Sequence, residues 1–331
     1  MASAAKRKKL NYVKQLQDSR ESLITCGLLL IHHVMEEYKN KQNMLRRHVN
    51  EILHSIFFLG VIYTGGLTPD QFLSATLAEG LRQEFPEPFE KYRSHLPKRT
   101  PFSILLDIMV LKYDTEEKVM EELRSLLKKL KFPYPLNKPG NKHQHVYTLE
   151  STVICISSNN MCPSKKYFGA SLGCKTDKAK SIMIYSSCIN TWHKYVSYSV
   201  MSFTHTQESE GLQFPGSMKC QAYLRNWQDN TYKEIPPCKN CKRIFSLQGE
   251  GTEQKFYPFG NCAETECLSK LLINDNFMQE NTEIKNYTRE NMSDLETKTI
   301  NKLREKLVSI PSLTNMLNRD CLPVFNPDSG K

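Results

Sequence analysis

Two short cysteine segments near the C-terminal end of the chain constrain its fold most, because their thiols are suited to a shared metal ion. The segment Pro237-Cys-Lys-Asn-Cys241 offers two thiolates from a single turn. The segment Tyr257-Pro-Phe-Gly-Asn-Cys-Ala-Glu264 offers a third thiolate and a carboxylate that need not touch the metal. Three ligands with a free acid are typical of a catalytic zinc site, whose fourth position holds water. Zinc lowers the pKa of such a water from about 15.7 to about 7, and the carboxylate can then transfer protons.

These segments resemble motifs of the cytidine deaminases and their wider zinc-dependent superfamily. The nucleoside enzymes of that family carry Y-P-x-G-x-C-A-E followed by a helix, and they also carry P-C-x-x-C-R. The resemblance implies that Cys238, Cys241 and Cys262 bind Zn²⁺ and that Glu264 is the proton shuttle. It also implies that Lys242, which stands where an arginine is usual, reduces the negative charge of the thiolates. The stretch Phe168-Gly-Ala-Ser-Leu172, followed by the apolar run 182–189, resembles the first hairpin of the family.

The order of the two motifs differs from the family pattern. In the family C-A-E precedes P-C-x-x-C, whereas here P-C-x-x-C comes first, with 20 residues (242–261) between Cys241 and Cys262. A circular permutation permits this order, because metal binding depends on where two helix N-termini converge in space and not on which comes first in the chain. A chance coincidence of two common pieces is the alternative.

The texture of the sequence changes at residues 132–142, which contain three prolines and a glycine. Before this stretch the pattern is helical, because apolar residues recur at three- and four-residue spacing. One apolar face of this kind comprises Leu45, Val49, Ile52, Leu53, Ile56 and Phe57. Helix starts are expected at Thr68 and at Asp114 or Thr115. After it, β-branched and aromatic runs predict strands at 146–156, 181–189, 195–203 and 219–224. Further helices are expected after Cys262 and over 295–308.

The chain is therefore expected to be an α/β protein, with a three-layer α/β/α cytidine deaminase-like core and an N-terminal all-α domain. The expected boundaries are a basic tail at 1–10, a helical domain at 11–131, a Pro-rich linker at 132–142, a deaminase-like zinc domain at 143–275, and a polar C-terminal extension with one helix at 276–331. A chain of 331 residues accommodates one large or two medium domains.

Composition indicates the cellular compartment and the kinds of partner that are expected for this chain. No run approaches the roughly 18 apolar residues of a membrane helix, and the N-terminal residues lack the apolar core and cleavage site that are typical of a signal peptide. The chain is therefore expected in the cytoplasm or nucleus, with its 11 cysteines as reduced thiols or metal ligands. The balance of 45 Lys and Arg against 35 Asp and Glu, a net charge of +10, favours nucleic acid or nucleotides without requiring them. Residues 6–9, Lys-Arg-Lys-Lys, are either a nuclear localisation signal or a solvated terminus.

Three alternatives remain open at the level of the sequence. Asn261 and Glu264 form a capping-box pattern, in which Glu264 only satisfies backbone amides. Cys267 can complete a four-cysteine structural zinc site, although it points away from Cys262 if a helix starts at Asn261. Finally, the chain can be a non-catalytic interaction protein that binds a partner through its helical half.

The function expected from the resemblance is zinc-dependent hydrolytic deamination of a cytosine-type base, in a nucleoside, a nucleotide or a nucleic acid.

Overall fold

The computed structural model describes residues 2–64, 66–130, 149–206, 211–249, 257–317 and 321–328. The Pro-rich linker predicted at 132–142 and the first residues of the strand predicted at 146–156 lie outside these ranges. The described chain is a mixed α/β structure with one four-stranded antiparallel sheet.

The N-terminal half is helical, as predicted. Helix α1 begins at Ala2, within the segment predicted as a basic tail. The apolar face predicted around Leu45 and Phe57 is buried in α2. The expected start at Thr68 is confirmed, since the Gln71 side chain accepts a hydrogen bond from the Thr68 amide at 3.0 Å. The helices are α1 (Ala2–Asn40), α2 (Gln42–Thr64), α3 (Pro69–Phe72), α4 (Ala75–Glu84), α5 (Pro86–Lys91), α6 (Pro101–Lys112) and α7 (Glu116–Leu130).

The second half contains the sheet and the remaining helices. The strands are β1 (Val153–Asn159), β2 (Cys162–Ala170), β3 (Met218–Arg225) and β4 (Tyr232–Ile235), in the order β2-β1-β3-β4. The helices are α8 (Asp177–Asn190), α9 (Lys194–His205), α10 (Lys239–Phe245), α11 (Ala263–Asn274), α12 (Asn276–Asn281), α13 (Arg289–Val308) and α14 (Thr314–Leu317), with a 3-10 turn at Pro311–Leu313. The strand predicted at 219–224 and the helices after Cys262 and over 295–308 are confirmed.

Two of the predicted strands are helices instead. The segment 181–189 lies in α8, and the segment 195–203 lies in α9. The prediction that 182–189 forms the second strand of a deaminase-like hairpin is therefore wrong. Residues 182–188 and 196–203 are buried without interruption, so these helices have protein on nearly all sides. A helix buried all round shows no 3.6-residue period, and its β-branched residues then resemble a strand.

Helix α11 packs across one face of the sheet. Cys155 on β1 lies opposite Gly169 on β2 and Ala222 on β3, and this small-residue face contacts Ala263 and Cys267 of α11. A side chain at residue 169 would place its Cβ 2.5 Å from the carbonyl oxygen of Ala263 and in contact with the amide nitrogen of Cys267. The backbones of β2 and α11 therefore meet directly.

The C-terminal segment returns to the helical half. Phe325 donates its amide to the Leu96 carbonyl at 2.9 Å, and the Leu96 amide donates to the Pro323 carbonyl at 2.8 Å. The ring of Phe325 stacks on buried His54 with centroids 4.0 Å apart. The predicted C-terminal extension is thus tied to the predicted helical domain by backbone pairing.

We predict that Gly169→Ala destabilises the protein by about 1–3 kcal/mol, the usual cost of overpacking a tight contact. Urea unfolding followed by circular dichroism measures this change. Gly216→Ala is the matched control, because a Cβ at residue 216 has no atom within 4 Å. Equal stability of the two variants would show that β2 and α11 are not in direct backbone contact.

Candidate metal centre

Three thiols converge where two helices begin. Cys238 is the N-cap of α10, Cys241 lies in the first turn of that helix, and Cys262 is the N-cap of α11. Their sulfur atoms all lie within 4.8 Å of one another, and the Cys238 and Cys262 sulfurs are 3.5 Å apart. A tetrahedral zinc ion with Zn–S bonds near 2.3 Å requires sulfurs about 3.8 Å apart. This cluster can therefore hold a metal ion such as zinc with small adjustments.

Local backbone contacts explain why the two helix starts meet. Cys238 adopts an extended conformation after two prolines, and its sulfur accepts the Cys241 amide at 3.5 Å, which caps α10. The side-chain amide of Asn240 donates to the carbonyl of Tyr257, which joins α10 to the turn before α11. That turn is closed by the Asn261 amide, which donates to the Pro258 carbonyl at 3.1 Å.

The end of the β1–β2 hairpin supports the same turn. The Leu172 amide, two residues beyond β2, donates to the Asn261 carbonyl at 3.1 Å. Asn261 immediately precedes Cys262, although 88 residues (173–260) separate it from Leu172. The third thiol is thus positioned by a strand that is distant in the sequence.

The three thiols of the cluster differ in acidity. Hydrogen bonds from Cys241 and then from Cys262 lower the pKa of Cys238. The hydrogen bond with Cys238 is the largest cause that raises the pKa of both Cys241 and Cys262, and burial adds to it. Cys238 is therefore the most acidic of the three thiols, and metal binding would require all three to lose their protons.

Glu264 lies beside the thiols with its side chain enclosed. It is the second residue of α11 and only 4% exposed. Burial raises the pKa of its carboxyl group to about 7, while hydrogen bonds with its own backbone amide and with the Cys241 side chain partly oppose this shift. A carboxyl group with a pKa near neutrality is suited to both accepting and donating a proton.

The structure disfavours both local alternatives for these residues. Helix α11 is capped at Cys262 rather than Asn261, and the Cys262 side chain makes no cap hydrogen bond, so the capping box of Asn261 and Glu264 is not formed. The Cys267 thiol points to the sheet, where it donates to the Ser157 hydroxyl and the Tyr167 carbonyl, each at 3.1 Å. Cys267 is thus separate from the three-thiol cluster.

The Lys242 ammonium group donates to the carbonyl of Gly249. Its predicted effect on the thiolates remains a prediction.

Two clefts lie away from the metal centre. They measure about 730 and 360 Å³, and Asn274, at the C-terminal end of α11, lines both. Neither cleft is lined by Glu264 or by a cysteine of the cluster. Among the described residues no helix combines the length and apolar character needed to cross a bilayer.

A group of largely buried charges along α11 was not expected from the sequence. Glu266 and Lys270 form an ion pair at 2.8 Å and also contact Arg99 and Asp107 of the helical half. The spacing of Glu266 and Lys270 is a helix-pair signal visible in the sequence. Their partners are more than 160 residues away, and no local pattern identifies them.

In comparisons with known proteins, no protein-family model, no curated protein and no solved structure matches this chain.

We predict that the purified protein holds close to one zinc ion per chain, measured by atomic emission on folded protein. Changing Cys238, Cys241 or Cys262 to Ser should remove the metal, since each change leaves only two thiolates. Cys267→Ser is the matched control and should retain it. Loss of zinc from Cys267→Ser alone would favour a four-cysteine site instead.

Proposed function

We propose that this chain is a zinc-dependent hydrolytic deaminase that acts on a cytosine-type base. The observation that carries the proposal is the convergence of the Cys238, Cys241 and Cys262 sulfurs beside the buried carboxyl group of Glu264. Three thiolates and an acid outside the ligand set match the needs of this chemistry, whereas a closed structural site needs a fourth ligand.

The proposal includes a cytidine deaminase-like core with its motifs in permuted order. The segment that resembles part of the family's first hairpin ends at Leu172, whose amide bonds to Asn261 just before the C-A-E segment. The end of the β1–β2 hairpin and the start of α11 are therefore neighbours in space, although the chain does not join them directly. This proximity supports a circular permutation, because a permuted chain keeps such neighbours while it changes their connection.

The chain's own residues would divide the work as follows. Cys238, Cys241 and Cys262 bind the zinc ion, and the N-terminal ends of α10 and α11 stabilise their negative charge. When bound, zinc supplies Lewis-acid activation of a water molecule. Glu264 would hold the proton that the attacking water gives up and would deliver protons to the ring nitrogen and to the leaving amine. The cytosine-type base is proposed from the motif resemblance, in a nucleoside, a nucleotide or a nucleic acid.

A second candidate is a non-catalytic interaction protein with zinc as a structural element. Two observations favour this candidate. Glu264 is enclosed, with only 4% of its surface exposed, and the two clefts described above lie at the other end of α11, away from Glu264. Under this candidate the helical half would bind a protein partner.

We predict that Glu264→Gln abolishes deamination without removing zinc. Glutamine keeps the size and helix preference of the residue but cannot relay protons, so turnover should fall at least about 10²–10⁴-fold. The assay follows uracil formation from cytidine, cytidine nucleotides, and cytosine in single-stranded DNA and RNA, with zinc content measured in parallel.

Glu290→Gln is the matched control, because Glu290 is the second residue of α13 as Glu264 is of α11, but it is exposed. This variant should keep full turnover. If zinc-loaded wild type converts none of these substrates above the Glu264→Gln background, the deaminase proposal is wrong and the interaction protein replaces it.

A further inference from the structure

A buried network of five charged side chains joins α11 to the helical half. Arg99, just before α6, binds both carboxylate oxygens of Glu51 in α2, at 3.0 and 2.8 Å. Arg99 also pairs with Asp107 in α6. The Lys270 ammonium of α11 lies 2.6 Å from Asp107 and 2.8 Å from Glu266. These side chains are between 4 and 25% exposed, so solvent screens their interactions only weakly.

The same side chains of α11 also bind the edge of the sheet. Glu266 accepts the Ala170 amide at 3.0 Å, and Lys270 donates to the Phe168 carbonyl at 2.9 Å. Strand β2 is the outer strand of the sheet, and these are hydrogen-bonding groups of its outer edge. The hydroxyl of Ser103 in α6 donates to Glu266 as well. The network therefore holds β2, α6 and α11 together.

The metal centre depends on how α10 and α11 are placed relative to each other, because two thiols belong to α10 and one to α11. Helix α10 is held by contacts at its C-terminal end, where the Ile244 carbonyl accepts the Ser199 hydroxyl at 3.0 Å and the Leu212 amide at 2.9 Å. Helix α11 rests on Gly169 without an intervening side chain. A shift of α11 along β2 would thus move Cys262 away from Cys238.

We propose that Glu266 and Lys270 are positioning residues of the metal centre, and that through them Asp107 and Arg99 of the helical half set its affinity for zinc. This inference rests on the zinc site of the proposed function but not on deamination. It gives the helical half a role within the chain: it fixes the helix that carries Cys262 and Glu264.

The charge balance of the network identifies Lys270 as the most sensitive position. Glu51, Asp107 and Glu266 supply three negative charges, and Arg99 and Lys270 supply two positive charges. Removal of the Lys270 charge leaves three carboxylates with a single cation in a site shielded from water, which such a site tolerates poorly. The carboxylates of Asp107 and Glu266 would then repel each other and separate α6 from α11.

The test compares Lys270→Gln with the charge-conserving Lys270→Arg in the full-length protein. For Lys270→Gln we expect zinc affinity, measured by competition with a chromophoric chelator, to fall about 10- to 100-fold, as for the loss of other residues that orient metal ligands. Hydrogen exchange of the amides of residues 265–268 should become faster in the metal-free protein. Lys270→Arg should restore most of both properties.

Lys298→Gln is the matched control, since Lys298 pairs with Asp294 at the same i,i+4 spacing on α13, but both side chains are more than half exposed, at 51 and 58%. It should change neither readout. Folding of each variant is checked by circular dichroism, and Asp107→Asn, an isosteric change within the helical half, provides the same comparison if Lys270→Gln does not fold.

Unchanged zinc affinity in a folded Lys270→Gln or Asp107→Asn variant would overturn the inference, as would an equal effect of Lys298→Gln. If the wild type binds no zinc, the proposed function fails. Hydrogen exchange of residues 265–268 then decides separately whether the network positions the start of α11.

Discussion

The contact between α11 and β2 is the constraint on which the rest of the second half depends. Because residue 169 is glycine, the helix backbone lies directly on the strand, and small residues of β1 and β3 complete the surface. The helix carries Cys262 and Glu264 at its N-terminal end and Glu266 and Lys270 one and two turns later. One element therefore links the candidate metal centre, the edge of the sheet and the helical half.

The two halves of the chain are joined more closely than a change of sequence texture suggests. Buried apolar residues of both halves form one continuous cluster, and the C-terminal segment pairs with Leu96 in the helical half. The charged network adds long-range polar contacts at the same junction. These contacts argue against a helical half that is only a docking module beside an independent zinc domain.

Within the candidate metal centre, the convergence of the three thiols depends on their proximity in space and not on their order along the chain. The N-termini of α10 and α11 bring three thiols together, and the hydrogen bonds among them lower the pKa of Cys238. The Leu172–Asn261 hydrogen bond supplies the link between hairpin and helix that the chain itself lacks. A single compact three-thiol cluster is thus compatible with either order of the two cysteine segments in the chain.

The three-cysteine set, the adjacent Glu264, the helical first half and the strand at 219–224 were all predictable from the amino-acid sequence. Each depends on local spacing or on regular periodicity. Helix geometry also argued against Cys267 as a fourth ligand, an alternative that stayed open until the structure placed its thiol against Ser157 and Tyr167. The helical state of 181–189 and 195–203 became visible only in the folded protein, because continuous burial removes the periodic signal that distinguishes a helix from a strand. Likewise, the pairing of Lys270 with Asp107 joins residues 163 positions apart, and only packing of α6 against α11 brings such charges together.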